Sequence, residues 1–207
     1  VTGDIYMRKY TSSGLLYDGS AASPAFGTAG ELIVANGGTN QDQRSPHLAI
    51  DSSNNIYVTW YDRRSGTEYG VYMKKYDSNG SIVSAFGLSG EVTVDSTALA
   101  TDEEPFGMDV AISGSYVYVS WYDDPTAVNT AIKVGKYALS NGALDSGFGI
   151  SGVLTAANTS KLETDPLITL DPAGTNVYVF YSEIETNFSD ARVLLNKHAV
   201  SDGAIVT

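Results

Sequence analysis

A chain of 207 residues with 12 Lys+Arg against 24 Asp+Glu carries a formal charge of −12. That balance argues against a nucleic-acid backbone or an anionic membrane surface as partner, since both require basic patches. With no cysteine, disulfides, zinc thiolates and cysteine nucleophiles are excluded too, while 43% hydrophobic against 17% charged residues supports a packed core.

The first predicted element is a basic-aromatic strand, YMRKY (Tyr6 to Tyr10), followed by a TSSG turn. An insertion-bearing stretch leads to Phe26-Gly27 and Gly30, then to a strand reading ELIVA. A Pro-led strand, PHLAID from Pro46, precedes the polar turn Asp51 to Asn55 and the strand IYVTWYD, Ile56 to Asp62. Its β-branched and aromatic density favours a strand, and its apolar residues on both pleat faces predict burial on both sides. YMKKY follows, then Asn79-Gly80, a strong hairpin signal, then Phe86-Gly87 and Gly90, then EVTV.

The series then repeats. PFGMDVAIS from Pro105, VYVSWYD (Val117 to Asp123), VGKY, Asn141-Gly142, Phe148-Gly149 with Gly152, and VLTA follow in the same order. A third round gives PLITLD from Pro166, the weakened VYVFYSE (Val177 to Glu183), LNKH ending at His198, and Asp202-Gly203. Three independent markers share a period of about sixty residues, which signals a repeat architecture. Each period reads as four antiparallel strands and no helix. The expected units are 1–40 (partial), 41–100, 101–160 and 161–207 (partial), within one domain spanning 1–207.

Sheets that bury both faces around an axis are blades of a β-propeller. The segment KYALSNGALDSGFGISGVLT (Lys136 to Thr155) resembles the delta-sixty repeat of bacterial β-propellers. The unit from Ser45 to Gly80 is similar to repeats in secreted bacterial surface proteins. The resemblance covers all but the termini and implies an all-β fold of four-stranded blades, and the strand tally along the chain gives about three and a quarter of them. Propellers typically have 4–8 blades. The expectation is therefore part of a larger propeller, completed by the rest of a longer chain or by a neighbouring subunit.

The chemistry-bearing residues are mostly repeated ones. Trp60-Tyr61-Asp62 and Trp121-Tyr122-Asp123 end two equivalent strands. They offer an aromatic platform beside an acid for a sugar, against the alternative that the rings fill the space between blades. Asp42, Asp102, Glu103, Glu104, Glu163 and Asp165 precede the three prolines and predict an acidic rim. Calcium needs 6–8 oxygens and no Asp-x-Asp-x-Asp-Gly run exists, so a solvated rim is expected over a calcium site, and no other cofactor is expected. His47 and His198 lie in different strands of different units, which reads as strand histidines rather than a metal or general-base pair. No nucleotide fingerprint or nucleophile elbow occurs.

The functional expectation is a non-catalytic secreted or cell-surface module, structural or binding a protein or glycan. The alternative is a carbohydrate-active or small-ester hydrolase or lyase of propeller fold, with or without calcium. A single non-repeated cluster of acid, His and Arg at the axis would favour the enzyme.

Overall fold

In the computed structural model the chain is described over residues 3–20, 25–36, 41–99, 105, 107–124, 130–159, 161–185 and 189–207. Thirteen strands form four antiparallel sheets, and no helix occurs among the described residues. The first sheet pairs β1 (Ile5–Arg8) with β2 (Glu31–Ala35). The second runs β3 (Gln43–Ile50), β4 (Ile56–Asp62), β5 (Tyr69–Tyr76), β6 (Glu91–Leu99) in sequential order. The third repeats it with β7 (Met108–Ser113), β8 (Tyr116–Asp123), β9 (Ala131–Ala138) and β10 (Val153–Ala157). The fourth holds β11 (Leu162–Leu170), β12 (Asn176–Ile184) and β13 (Ala191–Ala199). Each sheet falls inside one sixty-residue period.

The second strand of each complete sheet explains the stacking. Every residue of β4 is buried. Ile56, Val58 and Trp60 join a core with Ile5, Met7, Phe26 and Val34 of the first sheet. Tyr57 and Tyr61, on the opposite pleat face, join a core with Val110, Val117 and Val119 of the third. One strand therefore contributes to two cores, and sheets stacked in this way are propeller blades. The protein is an all-β chain of β-propeller architecture.

The Phe-Gly-x-x-Gly marker has a structural reason. Phe26, Phe86 and Phe148 are all buried, at 1%, 0% and 0% exposure. The glycine after each donates its N–H to the next blade's turn: Gly27 to Asn79 O at 3.2 Å, Gly87 to Asn141 O at 2.8 Å, Gly149 to Asp202 O at 2.9 Å. A strand lysine adds a second bond across each boundary. Lys9 Nζ reaches Ser78 O at 2.8 Å, Lys75 reaches Leu139 O at 2.7 Å, and Lys136 reaches Val200 O at 3.0 Å. The receiving turns end in Gly80, Gly142 and Gly203, where a Cβ would come within 3.1, 2.5 and 3.1 Å of the preceding blade. Motif and turn are two halves of one interblade latch.

The Pro-led strands differ from expectation. Pro46 and Pro166 do not open β3 and β11 but lie inside them, at bulges between Arg44 and His47 and between Thr164 and Leu167. Ser45 and Asp165, just before these prolines, have φ of 52° and 54°. A bulge leaves its extra residue outside the ladder, so a proline costs no pairing there. Pro105 is outside β7 altogether, and Gly107 takes the positive-φ position at 84°.

Candidate functional site

Three places bring chemistry-bearing groups together: the strand ends, the inner strands near the axis, and a groove between the second and third blades.

At the strand ends, Trp60, Tyr61, Asp62, Trp121, Tyr122 and Asp123 are all at most 4% exposed. Trp60 Nε1 donates to Asp62 Oδ2 at 3.0 Å, and the same oxygen meets Arg64 Nη2 at 2.7 Å. Asp123 lies 2.5 Å from Lys133 Nζ, and burial nevertheless pushes its carboxyl above the ordinary range. Glu183, the counterpart in the weakened third copy, lies 2.7 Å from Lys161 Nζ. Tyr61 donates its single hydroxyl proton to Tyr122 O at 2.8 Å in the next blade, and burial holds that phenol well above its usual pKa. No ring here faces solvent, and each acid is paired with a cation, Arg64 being shared with Glu91 and Lys161 with Glu185.

The expected acidic rim is dispersed. Asp102, Glu103 and Glu104 lie outside the described residues. Asp42 is buried, accepting from Gly3 N at 2.8 Å and Tyr69 OH at 2.9 Å beside Arg44. Glu163 is 0% exposed and accepts from Thr130 Oγ1 at 2.7 Å and Thr159 N at 2.8 Å. Among the described members of the set, Asp165 alone is exposed. No group of three or more acidic, His or Cys residues is placed to hold a metal among the described residues. His198 is buried, with Nδ1 3.0 Å from Gly203 O, and burial lowers its pKa.

Near the axis the structure brings together a pair that residue spacing did not reveal. His47 Nδ1 of β3 lies 3.5 Å from Asp109 Oδ1 of β7. The other oxygen, Oδ2, accepts the N–H of Ile168 in β11 at 2.9 Å, while Oδ1 also accepts from Val110 N at 2.8 Å. One carboxylate thus ties three innermost strands. Burial pushes Asp109 up, but the bonds from His47 and the two amides outweigh it and hold the carboxyl below its ordinary range. Counting back from the strand-ending turns at Asp51, Ser113 and Asp171, the equivalent positions are His47, Asp109 and Leu167. Counting from the prolines, which stand at a shifted place in the third blade, hides that equivalence.

The sign of the Asp109 shift sets a test. A depressed folded pKa adds stability above the unfolded value of ~4 and loses it as pH falls through the folded value. Asp109→Asn should therefore cost about 1–3 kcal/mol at neutral pH, with the gap to the parent closing as the pH falls below the unfolded value of ~4 and through the depressed folded value. Denaturant midpoints at pH 7 and in strong acid read it. A gap that stays constant with pH would show that Asp109 acts by shape alone.

The third place is a groove of about 810 Å³ between the turns of the second and third blades. Hydroxyls of Ser52, Ser53, Ser113, Ser115 and Ser140 line it, with Asp51 and Lys75 beside them. Asp51 is committed to its own turn, accepting from Ser53 N at 2.8 Å and from Asn55 N at 2.9 Å. Lys75 is committed to the latch. The groove is polar and open, and holds no nucleophile with an adjacent base.

No family model matches the sequence, and no curated protein sequence does. Solved structures do match. An endo-arabinase from Bacteroides thetaiotaomicron aligns at a TM-score of 0.46 and 8% identity, over 78% of this chain and 61% of that one. A thermostable family-43 glycoside hydrolase aligns at 0.44 and 14% identity, over 98% of this chain and 70% of that one. The chain spans about three fifths of the length of the first. These likenesses concern the arrangement of sheets and assign no residue a role.

Proposed function

We propose that the chain is a non-catalytic β-propeller module of a secreted or cell-surface protein, structural or binding a protein or glycan partner. One observation carries this reading: the strand-end aromatics and acids Trp60, Tyr61, Asp62, Trp121, Tyr122 and Asp123 are spent inside the fold, each acid paired with a cation. The Phe-Gly-x-x-Gly and Asn-Gly markers support reading its repeat as delta-sixty-like. Low charge density and abundant Ser, Thr, Asn and Tyr support an extracellular setting.

A second reading is a carbohydrate-active propeller, in the company of the glycoside hydrolases named above. It is favoured by the His47–Asp109 pair, which is not copied in the third inner strand, where Leu167 stands. A screen on arabinan, other glycans and small esters, with and without calcium, separates the two. The module reading expects no turnover. Turnover abolished by Asp109→Asn in a folded variant would establish the second reading instead.

A further inference from the structure

Each of the three interblade boundaries uses the same latch, and each end of the chain carries an unfilled half of it. At the last sheet, Lys197 stands where Lys9, Lys75 and Lys136 stand in the sheets before it. Its ammonium lies 5.8 Å from the Tyr178 ring and has no carbonyl acceptor among the described residues. At the first sheet, the turn from Thr11 to Gly14 repeats the receiving turn Asp77 to Gly80 bond for bond. Gly14 N donates to Thr11 O at 2.9 Å as Gly80 N does to Asp77 O at 3.0 Å. Thr11 N donates to Leu15 O as Asp77 N does to Ser81 O. Yet a Cβ on Gly14 would meet nothing within 4 Å, whereas the three occupied turns are pressed against a neighbour.

The open sheet faces agree with the open latches. Across the last sheet, Leu167, Phe180 and Leu195 are direct cross-strand partners. They are 54%, 38% and 51% exposed. The same row in the second sheet is His47, Thr59 and Met73, and in the third Asp109, Ser120 and Val134. In both, the strand-two member is fully covered by the next blade. On the first sheet, Tyr6 pairs with Ile33 and both are half exposed, on the face turned away from the second sheet. An uncovered apolar row on a sheet face marks a contact surface.

We propose that both end sheets are docking faces for a further blade of this same repeat. A following blade would offer a turn carbonyl to Lys197 and cover Leu167, Phe180 and Leu195. A preceding blade would seat its Phe-Gly on the turn ending in Gly14. The occupant is identified by continuity: three filled latches in series, with the donor half repeated at one end and the receiver half at the other. Repeat proteins gain stability from such nearest-neighbour interfaces.

The C-terminal half can be tested by extending the protein. Continuing the chain after Gly203 with its own residues 143–203 is in register, because Gly203 and Gly142 close the same turn, with Ala199 and Ala138 as acceptors. The added blade places a second Val200 carbonyl before Lys197. The extension is made with Phe180 and with Phe180→Ser, the residue of the third sheet, so that the bulkier ring does not decide the outcome. Lys197→Met should leave the 207-residue chain unchanged but lower the thermal midpoint of at least one extended chain by about 3–10 °C. An equal effect of Lys197→Met in both lengths, in both backgrounds, would overturn the proposal. So would a defined dimer of the unextended chain abolished by Lys197→Met, which would give the face to a second copy.

Discussion

Trp60→Ala is expected to lower stability by about 3–5 kcal/mol, the range for truncating a large aromatic in a core. The indole is 0% exposed and lies in the core joining the first and second sheets. The Tyr72 ring sits 6.1 Å away, and Lys74 Nζ lies 5.4 Å from the indole. Truncation leaves a cavity between two sheets and removes the indole donor from a buried carboxylate, so both losses act together. Trp60→Phe separates them: it keeps most of the volume and should cost about 1–2 kcal/mol, close to the value of the bond alone. Urea melts of both variants give the comparison. A loss below about 1 kcal/mol for alanine would mean that the ring is not a packing element, and the sugar-platform reading would regain ground.

How much of this was legible in one dimension differs between fold and site. The blades were legible because burial on both faces of a strand writes itself as a run such as IYVTWYD, in which both alternating sets are mostly apolar or aromatic. The turns were legible because Asn79-Gly80 and Asn141-Gly142 have few other uses. The inner strands were misjudged at one detail: a proline reads as a strand entry, yet at Pro46 and Pro166 it marks a bulge inside the strand. What hid the equivalence of His47, Asp109 and Leu167, and with it the axial pair, is Pro105, which stands three residues further from its turn than Pro46 and Pro166 stand from theirs. The partners of Asp62, Asp123 and Glu183 could not be read at all. Their cations come from three different places, a loop arginine two residues on, a strand lysine and a lysine before β11, so no period reports them. Repetition reveals what each blade does alike; a function that depends on one blade differing from the others is invisible to it.

Phe86→Ala should be as costly as Trp60→Ala, about 3–5 kcal/mol, and it should also loosen one blade from the next. Phe86 is 0% exposed, meets Tyr57 edge-on at 5.6 Å, and lies 5.7 Å from Lys75 Nζ. Its Cε2 is 3.2 Å from where a Cβ on Gly142 would stand, so the ring is clamped between its own sheet and the next blade's turn. Gly87 beside it donates the bond to Asn141 O, and Lys75 the bond to Leu139 O. Emptying the centre of this latch leaves both bonds to close over a void. Since each blade of a stack contacts only its neighbours, the damage should concentrate at one boundary, and unfolding should lose cooperativity there. Leu88 lies two residues along the same loop but is 84% exposed, so Leu88→Ala should stay within about 0.5 kcal/mol. Hydrogen exchange supplies the decisive readout. In the Phe86→Ala protein the amide of Gly87 should lose protection while that of Gly149, in the next latch, keeps it. Equal loss at both glycines would mean that the sheets unfold as one unit and that the latches are not separate joints.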